Sequence, residues 1–184
     1  MNKRSIYIEG RRIYLKGIQV SDANVLYCSW LNDPKVNGYL CCRFEKWTLP
    51  KMRRYIVAII NDRSNYFWAI YRKDTDTHIG NIKLGYVNMN YRYGDIGVII
   101  GDCSSWGKGF ATEAIQLVKK YAFTKLKLHK ITAGSYSNNY GSMRAFQKAG
   151  FFIEGNRKEH FIHRRRYVDQ VLLGCINNKS KIHK

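Results

Sequence analysis

The feature that most constrains this chain is a change of period across Trp106-Gly107-Lys108-Gly109-Phe110-Ala111. Upstream, Tyr66 to Arg72, His78 to Val87 and Tyr93 to Ile100 are short runs rich in β-branched and aromatic residues. Turn formers, Asp74-Thr75-Asp76 and Asn88 to Tyr91, separate them, which predicts an antiparallel meander. Downstream, Ala111, Ala114, Ile115, Val118, Tyr121 and Ala122 recur at helical spacing from about Phe110 to Lys125, with Lys119, Lys120 and Lys125 off that face; that stripe is read as core packing. The two glycines let successive backbone N–H groups point inward, and the helix that follows adds a partial positive charge. The loop therefore suits a pyrophosphate-like anion. A Gly-x-Gly pair alone also makes ordinary turns, so the strand-loop-helix context carries the reading.

Elsewhere the spacing predicts a strand over Arg12 to Ile18, a helix from a cap at Ser21 or Asp22 toward Leu31, and a break at Asn32-Asp33-Pro34. A second helix is expected from Pro50, with Met52, Tyr55, Ile56, Ile59 and Ile60 on one face. The stretch between is expected to be a loop with short structure. After the long helix come a strand at Lys130 to Tyr136, a helix at Tyr140 to Lys148 closed by Gly150, and strands around Phe151 to His160 and Tyr167 to Ile176. The expectation is an α+β fold with a mixed, mostly antiparallel sheet of about six to seven strands flanked by helices. The chain's 184 residues suit a single domain over residues 1–176 with a basic tail at 177–184.

No apolar run approaches the ~18 residues of a spanning helix, and Met1 to Gly10 lacks a long apolar stretch, so a cytoplasmic protein without membrane contact is expected. Cys28, Cys41, Cys42, Cys103 and Cys175 show no CxxC pairing, which reads as reduced structural thiols and no metal site. Cys103, near the loop, is either an acyl-carrying nucleophile or, more simply, an incidental thiol. The net charge of +19, from 32 basic and 13 acidic residues, implies an anionic partner. Coenzyme phosphates, a nucleotide-linked substrate, RNA and a ribosomal surface all qualify. Monomer and homodimer both stay open.

The segment from Trp106 to Ala111 resembles the signature of the GNAT acetyltransferases, a Gln/Arg-x-x-Gly-x-Gly/Ala loop that holds the pyrophosphate of acetyl-CoA. Trp106, Gly107, Lys108, Gly109, Phe110 and Ala111 fall on its six positions, with Trp106 replacing Gln/Arg. That tryptophan and Thr112-Glu113-Ala114 are similar to the RimJ/RimL-like branch of ribosomal-protein N-terminal acetyltransferases. The block from Asn139 to Phe151 resembles the family's Asn-x-x-Ser…Lys-x-Gly-Phe element. The resemblance implies that Asn139 bonds the pantetheine arm and that Ser142 lies near the thioester sulfur. From the residues alone, Asn139 is a helix cap and Ser142 a first-turn hydroxyl. Glu154-Gly155, Lys158-Glu159-His160 and Tyr167-Val168-Asp169 are similar to strands that flank the acceptor in Rim-type enzymes. The segment Trp30 to Leu40 resembles an element found in Rim-like proteins, including amino-sugar acetyltransferases.

What the resemblance implies is acetyl-CoA as co-substrate and direct attack by a primary amine, without metal or acyl-enzyme. The carbonyl would be polarised by backbone N–H groups around Val98, Ile99 and Ile100. The implied acceptor is a protein N-terminus or an amino-sugar nucleotide; a polyamine is disfavoured, since a polycation would need an acidic patch from only 13 acidic residues. It is expected between Asn32 to Arg43 and Glu159 to Tyr167. His163-Arg164-Arg165-Arg166 is expected in the hairpin joining the last two strands, as a solvated turn or as a grip on acceptor phosphate or RNA. Many relatives use a helix tyrosine as general acid, but Phe146 stands at that position, leaving Ser142 or Tyr136. The base is Asp95, at the acidic position opening the fourth family strand, or Glu159, the favoured one; each alone also reads as a surface salt bridge. A noncatalytic CoA- or RNA-binding module on the same fold is the competing reading.

Overall fold

In the computed structural model of the chain, which describes residues 6–178, the meander forms the middle of an eight-stranded sheet. The strands are β1 (Tyr7–Glu9), β2 (Ile13–Gly17), β3 (Tyr66–Arg72), β4 (His78–Asn88), β5 (Tyr93–Ile100), β6 (Lys130–Tyr136), β7 (Phe152–His163) and β8 (Arg166–Ile176). Their order is β1-β2-β3-β4-β5-β6-β8-β7. Every neighbouring pair is antiparallel except β5 and β6. The strand count exceeds the expected six to seven because β1, three residues pairing Tyr7 with Lys16, is too short to give a readable alternation.

The first helix, α1 (Val25–Asn32), starts later than expected: Asn24 is its cap and accepts from the Tyr27 N–H at 2.9 Å. Asp22 does not cap it. That carboxylate is buried and accepts from the Gln19 N–H at 2.7 Å, closing a tight turn before the helix. Pro34 ends α1 and also opens a one-turn helix, α2 (Pro34–Asn37), where its fixed φ suits the first position and Asp33 caps the Lys35 N–H at 2.9 Å. Thr48 caps α3 (Leu49–Asn61). The two remaining helices, α4 (Phe110–Thr124) and α5 (Tyr140–Lys148), fall where the sequence places them.

Strand alternation sorts the core into two layers. On one face α4 and α5 bring Ala114, Ile115, Val118 and Phe146 against Leu15, Ile70, Ile82 and Ile96. On the other face α1 to α3 bring Trp30, Leu31, Met52 and Ile56 against Ile18 and Ala69. Each fully buried Leu or Ile stabilises the fold by about 1.5–3 kcal/mol. A close approach fixes α1 to the end of β5: a Cβ on Gly101 would lie 1.9 Å from Trp30 Cδ2, so the indole can rest there only against glycine. At the other end Asn177 donates its N–H to His129 O at 2.8 Å. Residues 179–184 of the expected basic tail lie outside the described residues. Among the described residues, no helix is long and apolar enough to cross a membrane.

Candidate active site

The one parallel pairing is brief. β5 and β6 meet only from Tyr93 to Asp95, opposite Lys130 to Thr132. Beyond that, β5 runs on to Ile100 and β6 to Tyr136 without pairing, so the sheet opens into a cleft. Gly101 donates its N–H to Ile79 O on β4, so by alternation Ile99 also faces β4 while Val98 and Ile100 turn their backbone groups toward the cleft. This corrects the expectation for Ile99, whose backbone faces β4 and whose side chain packs in the α1–α3 layer. Val98 and Ile100 retain N–H groups directed into the opening.

The loop from Trp106 to Gly109 sits at the mouth of this cleft. Gly107 and Gly109 have φ of +72° and +81°, a left-handed conformation that glycine adopts without strain. Gly109 is the N-cap of α4 and has no side-chain oxygen to offer, so the first-turn N–H groups, including those of Phe110 and Ala111, are left for a ligand. A Cβ on Gly107 would meet nothing within 4 Å. The Trp106 indole N–H donates to Ile100 O at 2.8 Å and ties the loop to the end of β5. Lys108 is exposed.

Arg12, which carried no signal in the sequence, buttresses the loop from β2's end of the sheet. Its Nη1 donates to Lys108 O at 2.8 Å, its Nε meets Glu113 Oε2 at 3.1 Å, and its guanidinium covers the Phe110 ring at 4.8 Å. Glu113 Oε1 accepts from the backbone N–H groups of Arg12 (2.8 Å) and Ile13 (3.3 Å). Burial raises the pKa of the Glu113 carboxyl, but the Arg12 and Ile13 N–H groups and the Arg12 charge outweigh burial and hold it below the usual value. A cavity of about 480 Å³ lies behind the loop, lined by Gly10, Arg11, Arg12, Gly109, Thr112 and Gln116 among others.

Across the cleft, Asn139 is the N-cap of α5, its Oδ1 accepting from the Ser142 N–H at 3.2 Å. The cap reading made from the residues alone therefore holds, and among the described residues its amide NH₂ has no partner. Ser142 is half-buried on the first turn. Phe146 points away from the cleft into the core, edge-on to Phe151 at 5.1 Å, with 2% of its surface exposed.

At the vertex where the strands part sits Asp95. Thr132 Oγ1 donates to its Oδ2 at 2.8 Å across the last paired position. Burial raises the carboxyl's pKa, with the Thr132 hydrogen bond and the charge of Lys83 opposing; burial in turn lowers that of Lys83.

An acetyltransferase (GNAT) domain model matches residues 12–152. The chain belongs to the GNAT acetyltransferases. Among its relatives, an uncharacterized N-acetyltransferase p20 of Bacillus licheniformis is 29% identical over 180 residues, 95% of this chain and 97% of that protein. The GNAT fold is shared with the Vibrio cholerae spermidine N-acetyltransferase solved with CoA and spermine (TM-score 0.81, 23% identity, covering 92% of this chain and 98% of that one). It is also shared with the ribosomal-protein-S5-alanine acetyltransferase of Vibrio fischeri (TM-score 0.77, 19% identity, 96% and 100%). This GNAT chain is thus an acetyltransferase that uses acetyl-CoA. Its loop glycines and free helix N–H groups fit the coenzyme's pyrophosphate.

On the α1–α3 face of this acetyltransferase, the cleft is bordered by residues far apart in the chain. Tyr136, the last residue of β6, stacks on Phe161 at 4.0 Å and meets Tyr39 edge-on at 5.5 Å. Tyr39 stacks on His163 at 4.5 Å and donates to Asn138 O at 3.3 Å, while the Asn138 amide meets His163 Nδ1 at 2.8 Å. Arg43 donates to Gly38 O and Ile162 O. The two segments expected to flank the acceptor therefore touch. Burial raises the pKa of Tyr136, partly offset by Arg43; burial, Arg164 and Arg43 together lower that of His163.

His163 pairs with Arg166, so Arg164 and Arg165 are the two-residue hairpin loop, with φ of +50° and +63°. Such a turn favours Asn-Gly, and left-handed backbone costs an L-residue roughly 1–2 kcal/mol. Glu159 is exposed at a bulge of β7, with φ +47°, and its N–H donates to Asp169 Oδ1 at 3.0 Å. Two strands, β6 and β8, separate its strand from β5, about 14 Å at ~4.8 Å per step.

Proposed function

We propose that this acetyltransferase acetylates a primary amine by direct attack, with the coenzyme on the α4–α5 side of the cleft and the amine arriving from the α1–α3 side. The observation that carries the reading is the β5–β6 opening with the glycine loop at its mouth. The coenzyme supplies the acetyl thioester. The loop N–H groups from Gly107 to Ala111 would hold its pyrophosphate, with Lys108 adding charge. The Asn139 amide would bond the pantetheine arm, and the N–H groups of Val98 and Ile100 would stabilise the carbonyl oxygen as it gains charge. The new N–C bond forms as the C–S bond breaks. One proton leaves the ammonium for a base, and one reaches the departing thiolate.

Asp95 is the better-placed base, relaying through water, because it stands at the vertex of the cleft while Glu159 lies on the far edge strand. Ser142 is the proton donor we favour, since Phe146 has no proton to give and Tyr136 lies under Phe161 and Tyr39. Placement in the RimJ/RimL-like branch rests on the Trp106 and Thr112-Glu113-Ala114 match; a protein N-terminus and an amino-sugar nucleotide are both acceptors of that reading. The test is thiol release from acetyl-CoA over N-terminal peptides, amino sugars, their nucleotides and polyamines, with mass spectrometry locating the acetyl group. Acetyl-CoA binding without turnover on any amine would leave a noncatalytic module instead.

A further inference from the structure

We infer that the acceptor is a primary amine bearing a phosphoryl group, and that Arg164, Arg165 and Arg166 at the tip of the β7–β8 hairpin bind that group; this rests on the acetyl-transfer reading above. The first ground is position. His163 stacks on Tyr39 and bonds Asn138, next to Tyr136 at the open end of β6. The tip is thereby drawn over the α1–α3 side of the cleft, the side the coenzyme's loop does not occupy.

The second ground is charge. Among the described residues, no side-chain hydrogen bond or ion pair engages Arg164, Arg165 or Arg166. On the hairpin's own strands Asp169 is engaged by Lys158 at 2.9 Å and Glu154 by Lys130 at 2.8 Å, while Glu159 stands exposed at the β7 bulge, short of the tip. Arg43 adds a further cation beside Tyr136. Burial, then the charges of Arg164 and Arg43, lower the pKa of His163 beside the tip. A polyamine would be repelled here, whereas planar guanidinium forks match phosphate oxygens in pairs.

The third ground is conformation. Asn-Gly would close this two-residue turn without strain, yet arginines occupy both left-handed positions. Strain held at an exposed, fully charged tip points to a task for those side chains.

The experiment compares the wild type with Arg164→Asn/Arg165→Gly, which keeps the turn geometry while removing two charges, and with Arg164→Lys/Arg165→Lys, which keeps the charge without the fork. The kcat/KM for glucosamine 6-phosphate over glucosamine should favour the phosphate by on the order of 10–100-fold in the wild type. That ratio should collapse toward one in the Asn/Gly protein and persist in part in the Lys/Lys protein. Calorimetry with glucosamine 6-phosphate and with uridine diphosphate, in saturating CoA, should show the same ranking. A wild type that prefers glucosamine or spermidine, or a phosphate preference that survives in the Asn/Gly protein, overturns the inference. So does an RNA oligonucleotide that binds through these arginines when neither small phosphate does. Arginine-dependent binding of the small phosphates without thiol release on any amine would overturn the acetyl-transfer reading and leave the phosphate site standing.

Discussion

The two sides of the β5–β6 cleft are built in different ways. On the side we propose for the coenzyme, the loop, the helix it caps and the strand it follows are consecutive in the chain, from Tyr93 to Thr124. On the side we propose for the acceptor, Tyr39, Arg43, Tyr136, Phe161 and His163 come from three segments held by ring stacking and hydrogen bonds. A contiguous anion site is set mainly by backbone conformation. A site assembled from distant side chains can change its ligand by substitution at a few positions, leaving the chemistry beside it intact.

That contrast is broken or sharpened most strongly by Asp95→Asn at the shared vertex. General-base loss should lower kcat by about 10²–10⁴-fold, with the coenzyme's Kd unchanged. Because burial raises the carboxyl's pKa and the base must be ionised, kcat/KM should fall with decreasing pH at a point above that of an exposed aspartate, ~3.9. This acidic limb should vanish in the variant. A wild-type pH profile in Asp95→Asn, with the limb lost in Glu159→Gln instead, would move the base to the far strand.

Next in size is Glu113→Ala, which strands the Arg12 and Ile13 N–H groups and removes the ion pair that steadies the Arg12 guanidinium. About 2–3 kcal/mol of stability should be lost, read as a lower denaturation midpoint. The wild-type carboxyl is held below its ordinary value. Its stabilisation is therefore present above the ordinary carboxylate range and lost as pH falls through the depressed value, a step absent in the variant.

Gly109→Val should weaken acetyl-CoA binding by roughly 10–30-fold, since a β-branched residue resists the left-handed cap and crowds the Arg12 guanidinium, 3.3 Å from the new Cβ. Gly107→Ala, with open space around its Cβ, should cost only the backbone strain, about 1–2 kcal/mol. Equal effects on coenzyme and acceptor would erase the distinction between the sides. The smallest effect is expected from Tyr39→Leu, where losing the His163 stack should cost about 0.5–1.5 kcal/mol and appear in the acceptor KM alone.

The same contrast explains what the sequence made legible. β3, β5, β6 and α5 begin and end where periodicity and turn residues put them, because each is a local decision of pattern and punctuation. The loop glycines were readable for the same reason. Arg12 was not, since its partners Lys108 and Glu113 lie about a hundred positions away and an arginine opening a strand has no distinguishing neighbours. Ile99 was misplaced because motif spacing does not say which way a strand residue turns its N–H. The cap of α1 was misread because Ser21, Asp22 and Asn24 are all good cap residues, and only the folded turn, with Asp22 bonded back to Gln19 and Asn24 to Tyr27, decides among them. The stacking of Tyr39 on His163 left no trace at all.

The hydrogen bond from the Trp106 indole to Ile100 O has an optical consequence. Of the four tryptophans, Trp30, Trp47 and Trp68 are 6%, 7% and 1% exposed, whereas Trp106 is 44% exposed while pinned at the cleft's mouth. A neutral collisional quencher such as acrylamide should therefore dim chiefly one emitter, the most red-shifted of the four. Any molecule that settles over the loop shields that ring, so the chain carries its own unlabelled fluorescent gauge of occupancy.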